Sequence, residues 1–138
     1  MGADLNSESV NEYKQAHTQT HIEQYVKYNP ELHAELERLS TIYQLCLASN
    51  ATEPFIQRSL EIMRIADFFT RINTATHFPA KPDTTTFVDC MNHTHSDPEE
   101  TVIFEDSPVG IQCARSTGAS VVEVADVKDT VRNMRNFQ

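Results

Sequence analysis

The chain has no tryptophan, only three glycines and three cysteines, and no apolar run approaching the roughly 20 residues that a membrane-spanning helix requires. Each shortage removes a class. With so few glycines, tight two-residue hairpin turns are scarce, and punctuation falls to the six prolines and to Ser, Asn and Asp, which favours helices and crossovers over hairpins. An odd number of cysteines, Cys46, Cys90 and Cys113, with no Cys-x-x-Cys spacing, argues against a disulfide framework or a zinc site and for buried free thiols. Basic residues are also in deficit. The formal net charge of −9 repels nucleic-acid phosphates and anionic membrane surfaces, so neither is expected as a partner. The first ten residues lack the basic start and apolar stretch of a secretory signal, which makes the cytoplasm the default location. In the same setting, the glycosylation-type triplets at Asn50 and Asn92 are chance matches.

What is present reads as one soluble domain. A hydrophobic share of 39% with 22% charged residues is globular, and 138 residues suffice for a single core. From Val10 to Tyr28 apolar residues recur loosely at helical spacing, so residues 1–28 are expected to be a helical segment. Asn29-Pro30 then opens a helix with Leu32, Leu36 and Leu39 on one face. The nearly continuous apolar run Ile42 to Ala48 suits a buried parallel strand ending at Ser49-Asn50. Thr52 is placed to cap a helix with the stripe Ile56, Leu60 and Met63. A weaker strand is expected over Arg71 to Ala75, then a loop holding Lys81, then a helix with Phe87, Cys90 and Met91 on its inner side. Thr101 to Phe104 reads as another strand, broken by Glu105-Asp106-Ser107-Pro108, where Ser107 caps and Pro108 starts the next helix. Gly118 suits a helix end, Ser120 to Val124 a further strand, and Val127, Val131 and Met134 a last helix. Alternation of this kind implies an α/β fold, a Rossmann-like parallel sheet flanked by helices, with ligands gathering beyond the carboxyl ends of the strands. Ser49 and the Glu105-Asp106 pair both fall at that edge.

The segment Val102-Ile-Phe-Glu-Asp-Ser-Pro-Val-Gly-Ile111, with Ala114 and Gly118 after it, resembles the fourth motif of haloacid-dehalogenase-type proteins of the β-phosphoglucomutase-like and phosphatase-like group. Leu47-Ala-Ser-Asn50 resembles their second motif, and Ala80-Lys-Pro-Asp83 their third. The resemblance covers about residues 29 to 125. It implies that Ser49, Asn50 and Lys81 hold a phosphoryl group, with Lys81 the catalytic cation, and that Asp106 and Glu105 bind Mg²⁺, Asp106 as the stronger direct ligand. The chemistry is consistent. A hydroxyl and an ammonium stabilise charge on phosphoryl oxygens, and adjacent carboxylates suit a hard cation. Each residue also has a plainer reading: a turn-forming Ser before Asn, an exposed loop lysine, and acids placed where a helix dipole favours negative charge. His17 with His21, and His93 with His95, are better read as scattered surface histidines than as metal ligands, because nothing completes a known spacing.

One departure from the family pattern is chemically serious. Members of the family open with a strand ending in Asp-x-Asp, whose first carboxylate attacks phosphorus and whose second acts as general acid and base. No Asp-x-Asp occurs anywhere in this chain, and Asp4, in a polar stretch with no apolar strand before it, is a poor substitute for the missing carboxylate. The expectation is therefore residues 1–28 as a helical segment, a cap remnant, and residues 29–138 as a core lacking its central first strand. Such a chain would be inactive alone: a hydrolase domain for phosphorylated small molecules without its nucleophile, or a binding and assembly module that takes a protein partner or a second copy at the empty strand position. A front half supplied in trans is a third option.

Overall fold

A computed structural model describes residues 2–5, by their backbone, and residues 26–137. Five parallel strands form one sheet in the order β3-β2-β1-β4-β5, where β1 is Gly2–Leu5, β2 Gln44–Ala48, β3 Phe69–Asn73, β4 Thr101–Glu105 and β5 Ser120–Glu123. Among the described residues, five α-helices accompany them: α1 Pro30–Ser40, α2 Glu53–Met63, α3 Thr85–Thr94, α4 Pro108–Ser116 and α5 Val127–Arg135. The parallel α/β class is as the sequence indicates.

The centre of the sheet is not. Gly2–Leu5 pairs with β2 on one side and β4 on the other, with Leu5 level with Leu47 and Phe104 and Asp4 level with Cys46 and Ile103. The expected gap is filled by the chain's own first residues, and the view of residues 1–28 as purely helical is corrected for residues 2–5 and for the non-helical residues 26–29. The helices read over Val10 to Tyr28 otherwise lie outside the described residues, as do His17 and His21. Two buried strands with unpaired inner edges are a strong template. A four-residue segment gains backbone partners on both sides there, which outweighs its poor intrinsic strand pattern.

Smaller shifts have local causes. Ile42 is 55% exposed and the strand begins two residues later, at Gln44, because the turn after α1 uses the N–H groups of Thr41, Ile42 and Tyr43 to close that helix. β3 starts at Phe69 rather than Arg71, its pairing to β2 shifting register between Leu45 and Cys46. Thr52 stands at the first cap position of α2 but makes no capping hydrogen bond with its side chain. Asn29 and Ser107 do cap, accepting from Glu31 and Leu32 and from Gly110.

Alternate residues of the strands feed two cores. Leu45, Leu47 and Phe104 pack with α1, α2 and α5, whereas Ala48 and Ile103 pack with Phe87, Met91, Cys113 and Ala114 on the other face. All three cysteines are buried and none forms a disulfide. Arg38 ties the C-terminal helix down by donating to the carbonyls of Met134 and Phe137 at 2.6 and 3.3 Å. No helix among the described residues is long and apolar enough to cross a membrane.

His95 ends α3 in the left-handed region, with φ of 55°. Since a Cβ costs about 1–2 kcal/mol there, His95→Gly is expected to raise stability by up to about 1 kcal/mol once the extra freedom of glycine in the unfolded chain is counted. Urea unfolding would register this as a higher midpoint.

Candidate active site

The carboxyl ends of β2 and β4 bring together the residues singled out in the sequence. Lys81, an expected loop residue, is only 6% exposed. Its Nζ donates to Glu105 Oε2 at 2.8 Å and to the Ala48 carbonyl at 2.9 Å, and it sits 5.1 Å from the centroid of the Phe87 ring. Both side chains of this ion pair are almost wholly enclosed. Bringing two charges out of water is costly, and the pair is tolerable because ammonium and carboxylate meet at hydrogen-bond distance and Ala48 supplies a further acceptor.

The loop that delivers Lys81 is anchored by the second candidate group. Asn50 Oδ1 accepts from the backbone N–H of Lys81 at 2.9 Å. Ser49, buried at the end of β2, accepts from Ala51 N through its Oγ at 3.0 Å, and its own N–H donates to the Asn73 carbonyl at 2.9 Å. At the far end of the loop, Asp83 Oδ1 accepts from the N–H and hydroxyl of Thr85 at 2.8 and 2.6 Å, opening α3. These bonds favour the ionised form and hold the Asp83 carboxyl below its ordinary pKa. The sign follows from linkage. A depressed carboxyl stabilises the fold above its unfolded pKa, and that contribution fades as pH falls through the lowered folded value. Carboxyl NMR titration should therefore place the Asp83 midpoint below the ordinary aspartate range, and Thr85→Ala should move it upward.

Glu105 and Asp106 stand in adjacent positions with different surroundings. Glu105 is fully buried at the end of β4, while Asp106 is half-buried in the turn into α4. A Cβ added to Gly110 would lie 2.0 Å from Glu105 Oε1, so the helix can approach the carboxylate only because residue 110 has no side chain. Gly110→Ala is expected to cost about 1–3 kcal/mol through overpacking against this ion pair, measured by equilibrium unfolding.

The structure thus gathers Ser49, Asn50, Lys81, Glu105 and Asp106 at one sheet edge. Residues 2–124 match the family of haloacid dehalogenase-like hydrolases. This chain belongs to that family. Among solved structures, a proposed β-phosphoglucomutase from Thermotoga maritima is similar at a TM-score of 0.71 and 15% identity, with 95% of this chain and 90% of that one covered. A predicted phosphoglycolate phosphatase from Haemophilus somnus gives a TM-score of 0.65 at 25% identity over 71% of this chain and 44% of that one. A haloacid-dehalogenase-superfamily hydrolase from Geobacter sulfurreducens gives 0.64 at 20% identity over 70% and 50%. The chain therefore spans about half the length of the last two proteins. No curated protein sequence matches it.

The family implies Mg²⁺, and the donor set can be judged against it. Glu105 directs one oxygen at Lys81 and packs the other against α4, which makes it a partner of the ammonium. No group of three or more His, Cys, Asp or Glu among the described residues could hold a metal ion. Mg²⁺ commonly takes only one or two protein carboxylates and keeps several waters, so the half-buried carboxylate of Asp106 is compatible with that ion without a protein cage. His93 and His95 stay on the surface at the end of α3.

Two further residues position the elements around the site. Gly110 was signalled by its rarity, being one of three glycines and lying inside a helix. Asn73 had no local signal. Its role is set by tertiary contact, its Nδ2 donating to Thr86 O and Asp89 Oδ2 at 3.0 Å each, while Arg71 binds Asp89 through two nitrogens.

Proposed function

We propose that this chain is a phosphate-ester-binding hydrolase domain, with Mg²⁺ at Asp106, that turns over poorly on its own. The enclosed Lys81–Glu105 pair at the carboxyl edge of β2 and β4 carries the reading. A buried ammonium beside a backbone-rich turn suits a phosphoryl oxygen, and the buried Glu105 balances its charge between ligands. Bound Mg²⁺ would neutralise charge on the phosphoryl oxygens. Ser49 and Asn50 lie where they can orient that group, through a hydroxyl at the strand end and through the loop that fixes Lys81.

Asp4 is the acidic residue of β1, and its central position makes it the candidate for the attacking carboxylate. Two residues later the chain has Asn6, whose amide can neither take nor return a proton at neutral pH. A first carboxylate without a second, rather than a missing strand, is the ground on which slow turnover is expected. The alternative of an assembly module that accepts a foreign strand loses its main support, because β1 occupies that place.

Purified protein with Mg²⁺ and p-nitrophenyl phosphate is expected to release p-nitrophenol no faster than Asp106→Ala does. Clear turnover that Asp106→Ala abolishes would overturn the inactive part of this reading and leave the binding part standing.

A further inference from the structure

Alternation along β2 turns Gln44, Cys46 and Ala48 to the side of the sheet that α3 covers. Gln44 Nε2 donates to the carbonyl of Thr94, the last residue of α3, and Ala48 packs in the same cluster as Phe87, near its start. Cys46 falls between them. The residue of α3 at that level, one turn before Thr94, is Cys90, and its thiol is hydrogen-bonded to that of Cys46. Asn73, level with Ala48 on β3, holds Cys90 in place: its Nδ2 donates to Cys90 Sγ at 3.3 Å and to Asp89 Oδ2 at 3.0 Å. We propose that Cys46 and Cys90 are a peroxide-oxidisable thiol pair that closes to a disulfide between β2 and α3.

The surroundings favour reaction at Cys46. Both thiols are buried, but Arg71 and Asp89 beside them are ion-paired at 2.9 Å with side chains 38% and 29% exposed, so the pair lies just beneath the surface at the β3 edge. The hydrogen bond with Cys90 outweighs burial, and with the Thr70 hydroxyl, 3.9 Å from Cys46 Sγ, and the Arg71 guanidinium it holds the Cys46 thiol below its ordinary pKa. The thiolate is the nucleophile, which makes Cys46 the attacking member. Its sulfur takes one oxygen from hydrogen peroxide, the O–O bond breaks, and the other oxygen leaves as water with the thiol proton. Cys90 sulfur then attacks the sulfenic acid. The S–S bond forms, the S–O bond breaks, and the hydroxyl departs as water with the Cys90 proton. Two thiols are oxidised and one peroxide is reduced to two waters. The cross-link would fix α3, which the Lys81 loop enters, against β2, which leads into Ser49. This holds whatever the candidate site binds.

The test treats the unaltered protein with millimolar hydrogen peroxide, alkylates the remaining thiols in denaturant and maps the peptides by mass spectrometry. A Cys46–Cys90 linked peptide that dithiothreitol reverses is expected, with both cysteines consumed at least about tenfold faster than Cys113. Cys113 belongs to the apolar cluster of Phe87 and Ile103 and donates to the Asp83 carbonyl, so it serves as the internal reference. In Cys90→Ser the sulfenic acid at Cys46 has no second thiol to resolve it, and dimedone should label it. Absence of the linked peptide, a link that includes Cys113, or loss of all three thiols at one rate, as global unfolding gives, would overturn the proposal. A folded Cys90→Ser that takes up no label contradicts Cys46 as the attacking thiol. Should that variant fail to fold, the linkage and the relative rates in the unaltered protein decide.

Discussion

Replacing Lys81 with methionine is expected to destabilise the protein by about 3–5 kcal/mol, the range seen when one member of a buried ion pair is removed. Methionine fills similar volume, so cavity formation contributes little. What is lost is the ammonium 2.8 Å from Glu105, whose carboxylate remains enclosed between β4 and α4. The double substitution Lys81→Met with Glu105→Gln should recover at least half the loss, because a neutral amide no longer needs a counter-charge. Urea unfolding of the two variants measures both effects. A loss under about 1 kcal/mol for Lys81→Met would mean that the pair is solvated and that the site is more open than its exposure indicates.

The second large effect is a gain. Asn6→Asp places a carboxyl two residues after Asp4 and recreates the Asp-x-Asp spacing. A positioned general acid and base contributes typically about 10²–10⁴-fold, and p-nitrophenyl phosphate hydrolysis with Mg²⁺ should rise by at least the lower figure. Asp4→Asn in the same background should remove the gain, since a carboxamide is no nucleophile at phosphorus. If Asn6→Asp leaves hydrolysis at background while phosphate still binds, Asp4 is not the attacking group. If the unaltered chain is already active and Asp4→Asn silences it, Asn6 is no obstacle.

These predictions depend on residues that differ greatly in how visible they are in the sequence. The run Leu45 to Ala48 and the break after Phe104 announce their strands, because a strand buried on both faces must be continuously apolar. The turn chemistry around Ser107-Pro108 announces the helix after it, and the capping bond to Gly110 is the physical form of that signal. Gly2–Leu5 gives no such notice. Only Ala3 and Leu5 are apolar, and the strand exists because β2 and β4 offer backbone partners on either side. Pattern-based reading has no access to an environment made by residues 40 and 100 positions away. The burial of Lys81 was hidden in a related way. Lysine is ordinarily exposed, and only its partner Glu105, 24 residues on, makes enclosure tolerable. The candidate residues can be named from their motifs, but the contrast between Glu105, turned to the ammonium, and Asp106, at the rim, is set by the packing of α4 and the Lys81 loop around β4.

On the proposed reading, a phosphoryl group binds at the carboxyl edge of the sheet, where the Lys81 loop meets the ends of β1, β2 and β4. Backbone amide NMR of the protein titrated with inorganic phosphate and Mg²⁺ tests this directly. Saturable shifts concentrated at Leu5, Ser49, Asn50, Lys81 and Asp106, and lost in Asp106→Ala, are the predicted result. Shifts scattered over the surface, or confined to the opposite edge of the sheet, would contradict it.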